Sequence, residues 1–128
     1  MCEYLQKKRG NMDDNDLAEF RKWVGHYVKL FGLTDYCIYV EMNKLESLTF
    51  AQTDITEKYG SAIITLNKKP AYKSDLKELA RHEVLHIVCS PLMNLAQSRE
   101  YTKKDIVSAH EREVIRLTNI TGSLENDN

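Results

Sequence analysis

Leu17, Phe20, Val24, Tyr27, Val28 and Phe31 recur at helical spacing, which predicts an amphipathic helix facing a core. It should open at Asp16, which with Glu19 resembles a capping box, and stop at Gly32. The period then shortens to two. Between Tyr36 and Met42, Cys37, Tyr39 and Glu41 alternate with Ile38, Val40 and Met42, the pattern of a half-buried strand. A weaker strand is expected over Ser47 to Thr53 and a third over Gly60 to Leu66, ended by Asn67 and Pro70. The short connections predict that the strands are antiparallel neighbours.

Ser74 is placed to cap a further helix, with Asp75 and Glu78 toward its positive end. The run Val84 to Cys89 is apolar on nearly every side, so this helix is expected in the middle of the domain, ending where Ser90 meets Pro91. After a mixed connection over 91–101, a last helix should open at Thr102, with Asp105 in a capping-box position and Tyr101 stapling Ile106. Ile106, Val107, His110, Val114, Leu117 and Thr121 mark its apolar face. The order α, β, β, β, α, α predicts an α+β domain with an N-terminal helix, a small antiparallel three-stranded sheet, a buried helix and a C-terminal helix. Residues 1–14 read as a loose leader, 15–121 as the single domain and 122–128 as a polar tail.

Composition narrows the function. The chain has 128 residues, 42% hydrophobic and 29% charged, enough for one globular core and too few for two enzymatic domains. A formal charge of −1 provides no overall field for a phosphate backbone, and Lys68, Lys69, Lys73 and Lys77 read as a solvated rim. Cys2, Cys37 and Cys89 follow no disulfide or metal spacing, and Cys89 is expected to pack as a small hydrophobe. The opening residues carry no apolar signal-peptide run and no window has the length of a membrane span, so a reduced, cytoplasmic protein with no membrane partner is expected.

The candidate chemistry lies at His82, Glu83 and His86, an H-E-x-x-H pattern inside the motif helix. Four residues on a helix turn through about 40° and rise about 6 Å, which sets two imidazoles side by side, able to share one Zn2+. Glu83, about 100° from His82, flanks the ion, where a carboxylate acts as general base toward a zinc-activated water in peptide hydrolysis. A catalytic zinc usually takes a third protein ligand. His110, Glu111 and Glu113 on the last helix are the candidates, and periodicity alone favours His110. Arg99, Tyr101 and His110 are candidates for stabilising an oxyanion, whereas Trp23 and His26 read as structural.

This order of elements around H-E-x-x-H resembles the gluzincin zinc metallopeptidases reduced to a minimal zincin-like domain. It is similar to the short H-E-x-x-H peptidases and SprT-like proteins of phage and prophage sequences, in which a tail E-x-x-V-x-R-L follows the motif. Glu111, Val114, Arg116 and Leu117 match that tail. The resemblance therefore implies a zinc metallopeptidase with His82, His86 and Glu111 as metal ligands, Glu83 as general base and a peptide or protein substrate. A histidine ligand of SprT-like type would instead select His110, and a likeness to SprT-like proteins also implies a DNA-associated protease as an alternative. The downstream N-E-x-x-S-D form is absent, and Cys89 and Leu92 stand where a metzincin extension requires glycine and histidine, respectively. By the same resemblance the strand before the motif helix, Ser61 to Leu66, is the edge that would hold an extended peptide. A non-catalytic, zinc-stabilised binding or regulatory protein is the reading from another class.

Overall fold

A computed structural model describes residues 11–97 and 102–126, with side chains throughout except at 57, 97 and 121–126. Residues 1–10 of the expected leader, Cys2, Arg99 and the Tyr101 staple lie outside the described residues; the rest of the expected leader over 1–14 is ordered, with Met12 buried in the core and its amide donating to the Lys68 carbonyl at 2.9 Å. Helix α1 spans Asp14–Leu30 and starts earlier than the apolar period suggests. Its capping box is made by Asp13 and Asp16, not Asp16 and Glu19: the Asp16 amide donates to Asp13 Oδ1 at 2.8 Å and the Asp13 amide to Asp16 Oδ2 at 3.0 Å. The buried face is Phe20, Val24 and Tyr27, and Gly32 takes φ +67° just past the helix.

Three strands follow: β1 (Cys37–Asn43), β2 (Ala51–Thr56) and β3 (Ser61–Asn67). The sheet is mixed, not antiparallel throughout. Its order is β1-β3-β2, with β1 parallel to β3 and β2 antiparallel to it. Both β1 and β2 alternate between exposed and half-buried positions, as one-faced edge strands do, whereas β3 is buried at Ala62 and from Ile64 through Asn67. The most apolar strand thus takes the centre, and the connection after β1 carries the chain past that slot before β2 forms. Asn67 secures this connection. Fully buried, it donates to the carbonyls of Glu46 at 3.0 Å and Thr49 at 2.7 Å and accepts from the amides of Leu45 and Lys69, both at 3.0 Å.

Helix α2 spans Leu76–Gln97 and is capped by Asp75, whose Oδ1 accepts from the amides of Lys77 and Glu78, not by Ser74. It passes through Pro91 instead of ending there. Proline removes the amide that would bond to the Ile87 carbonyl, and the Ser90 hydroxyl donates to that carbonyl at 2.8 Å in its place. Nor is the helix buried on every side. Ala80, Glu83, Val84, Ile87 and Val88 face inward, while His82, Leu85, His86 and Cys89 are exposed. The core lies between α1, α2 and one face of the sheet, around Phe20, Leu33, Ile64, Leu66, Val84 and Ile87.

Helix α3 spans Lys103–Asn126, past the expected end of the domain at Thr121. Thr102 and Asp105 form the expected reciprocal cap. The helix, however, presents a face rotated by about 100° from the one its apolar period suggests. Ile106, Val107, His110, Val114 and Leu117 are exposed, and Ala109, Glu113 and Arg116 are buried. A charge pair fixes this orientation: Arg116, 3% exposed, reaches Asp35 at 2.9 and 3.1 Å, and Arg112 joins the same carboxylate at 3.1 Å.

Candidate metal centre

Helix α2 brings His82, Glu83 and His86 together with potential ligand atoms all within 4.8 Å of one another. The two imidazoles are exposed and stand at 86°, and their ring centroids are 4.8 Å apart. Two nitrogens on one tetrahedral zinc, each at 2.0–2.1 Å, are about 3.4 Å apart. Side-chain rotation of exposed imidazoles covers that difference, and two histidines are a donor set that suits zinc. The residues present therefore fit the metal that the motif implies.

Glu83 differs from its neighbours in being buried, at 4% exposure. It turns toward the sheet, where Thr53 on β2 donates its hydroxyl to Glu83 Oε2 at 3.2 Å and approaches the Glu83 carbonyl at 3.4 Å. Between β2 and α2 opens a cleft of about 530 Å³ bordered by Gln52, Thr53 and Ile55 on one side and Glu83, His86 and Met93 on the other. Glu83 and His86 are its titratable lining residues; Gln52, Thr53, Ser90 and Asn94 add neutral polar groups. The strand bordering the cleft is the edge strand β2, and the expected peptide-holding strand β3 is central, with both of its sides already paired. That expectation is corrected by the strand order.

The three candidates for a further ligand are distributed unequally. None belongs to the 4.8 Å group. His110 and Glu111 are exposed, whereas Glu113 is buried on the face of α3 that packs toward α2. Burial raises the Glu113 carboxyl above its usual range, with Arg116 and Arg112 only partly offsetting this, and Oε1 has no hydrogen-bond partner among the described residues. The Cys89 thiol, one turn beyond His86, is raised first by burial and then by the Glu113 charge, so the carboxylate lies on the motif-helix side. Cys89 is nonetheless an exposed free thiol, contrary to its expected packing as a hydrophobe.

Thr53 and Asp35 carry no signal in a motif search. The alternation of Thr53 and Ile55 against Gln52 and Asp54 is the feature that aims Thr53 at the helix. Trp23 is half-buried, with the Lys77 ammonium 4.7 Å from its ring centroid. No protein-family model, curated protein or solved structure matches the chain. No helix among the described residues is long and apolar enough to cross a membrane.

Proposed function

We propose that the protein is a zinc-dependent peptidase in which His82 and His86 hold the metal and Glu83 is the general base. The observation that carries this reading is the division of the H-E-x-x-H residues: two exposed imidazoles beside a buried carboxylate, with Glu83 and His86 lining a cleft whose other wall is an edge strand and His82 beside them on the helix. When bound, zinc supplies Lewis acidity, lowering the pKa of water and polarising a carbonyl. Glu83 accepts the proton of the attacking water and delivers it to the leaving amine. The outer side of β2, which pairs with no other strand among the described residues, offers its amides and carbonyls to an extended peptide.

Glu113 takes the place of Glu111 as the proposed third ligand. An unpartnered carboxylate oxygen, buried on the side of α3 nearest the motif helix, gains from a cation what the exposed Glu111 already obtains from water.

Metal analysis and proteolysis test the proposal together. We expect about one zinc per chain and cleavage of a denatured protein that is abolished by chelation. Glu83→Gln should retain the zinc and lose most turnover, because this side chain moves protons and does not hold the ion. Zinc without cleavage by the parent identifies a metal-stabilised binding protein instead, and absence of zinc at neutral pH refutes both. Cleavage that appears only with DNA and falls steeply with salt identifies the DNA-associated alternative.

A further inference from the structure

We infer that Thr53 is a positioning residue for the base, holding the Glu83 carboxylate from the edge strand that borders the cleft. The inference rests on the peptidase reading for its functional meaning, and on the Thr53–Glu83 contact for its physical content. A carboxylate at 4% exposure requires a donor, and among the described residues the side chain that donates to it is Thr53, at 3.2 Å. The same hydroxyl lies 3.4 Å from the Glu83 carbonyl, so one short side chain contacts both ends of this residue.

The placement of Thr53 gives the contact its consequence. Thr53 pairs with Ile64 of β3 on one side, and the other side of β2 has no strand partner among the described residues. A peptide added to that free side is aligned by the backbone of β2, and the base is aligned by a side chain of the same strand. Substrate and base are thereby referenced to one element, which reduces the error in their separation. Misplacement by about 1 Å costs on the order of 100-fold in rate. Threonine suits the position because its β-branched side chain has restricted rotamers on a strand, while its hydroxyl supplies the donor that an isosteric valine lacks.

The test compares Thr53→Val, which keeps the shape, with Thr53→Ser, which keeps the donor. In zinc-loaded protein, Thr53→Val should lower kcat by about 10- to 100-fold with KM and zinc content close to the parent values, and Thr53→Ser should recover most of the loss. An unchanged kcat in Thr53→Val, or an equal loss in Thr53→Ser, overturns the inference. A second readout needs neither metal nor turnover. In metal-free protein, Thr53→Val should lower Tm when Glu83 is present and should not lower it in a Glu83→Ala background, where there is no carboxylate to hold. Equal Tm losses in both backgrounds overturn the inference. A parent protein that cleaves no peptide refutes the peptidase reading, and the metal-free cycle then decides whether Thr53 holds Glu83.

Discussion

Glu113→Gln should move stability and metal affinity in opposite directions. In the metal-free protein the carboxyl is raised by burial more than Arg116 and Arg112 lower it, and Oε1 lacks a partner among the described residues. A carboxyl with a raised folded value favours the native state most when protonated, and that advantage is lost as pH rises through the folded value. At neutral pH the ion is therefore a net cost. A neutral amide of the same shape removes the charge though not the missing partner, and should relieve about 1 kcal/mol, the low end of the about 1–3 kcal/mol for a buried unsatisfied group. Zinc reverses the comparison. At free zinc 100 times the parent Kd, binding stabilises by about 2.7 kcal/mol, and a variant that binds about 100-fold more weakly gains only about 0.4 kcal/mol. At about 4 °C per kcal/mol for a chain of this size, the parent should rise by about 10 °C and Glu113→Gln by about 2 °C. Thermal melts with chelator and with zinc, run beside Glu111→Gln and His110→Ala, read both effects. A full zinc shift in Glu113→Gln together with its loss in Glu111→Gln refutes the assignment and restores the ligand that the tail motif implies.

Other perturbations test the frame around the centre. Asp35→Ala leaves the buried Arg116 guanidinium without its carboxylate and should cost about 1–3 kcal/mol, less than a fully buried pair because Asp35 itself is half exposed. Although burial would raise the Asp35 carboxyl, the Arg116 charge and hydrogen bonds from both arginines outweigh it and hold the carboxyl below its ordinary 3.8. Its stabilising share is therefore present above that value and lost as pH falls through the lower folded value. Acid titration of Tm should show a shallower decline in Asp35→Asn than in the parent. Asn67→Ala removes two donated and two accepted hydrogen bonds in a buried site and should cost about 2–4 kcal/mol, read as a lower urea midpoint at unchanged m-value.

Local signals led to local structure. The strict alternation from Cys37 to Met42 reappears as the exposed and half-buried alternation of β1, and Thr102 with Asp105 caps α3 as their spacing implies. His82, Glu83 and His86 lie on one helix, so their proximity needed only the helical period. What escaped the sequence depends on distant partners. The apolar stripe of α3 points outward because Arg112 and Arg116 meet Asp35 some 77 and 81 residues away. Proline at position 91 ends no helix because the preceding serine supplies a donor to the Ile87 carbonyl. Strand order was equally hidden: β1 and β2 are successive, yet β3 separates them, a choice made by burial on both faces and not by connection length.

That strand order also divides the chain by the distance at which contacts close. Thr56 pairs with Ser61 across a tight antiparallel turn, whereas Cys37 must find the same Ser61 in a parallel pairing. Loop closure makes the first pairing quick and the second slow, so the topology predicts a folding nucleus in the β2–β3 hairpin, with β1 joining afterwards. The hairpin and α2, which together carry Thr53, Glu83 and both imidazoles, occupy the continuous stretch Ala51–Gln97. Under the proposed zinc reading both histidines would come from this one stretch, whereas the carboxylate at position 113 would come from the separate helix α3. Assembly of such a centre would be sequential, with docking of the last helix as the step that completes it.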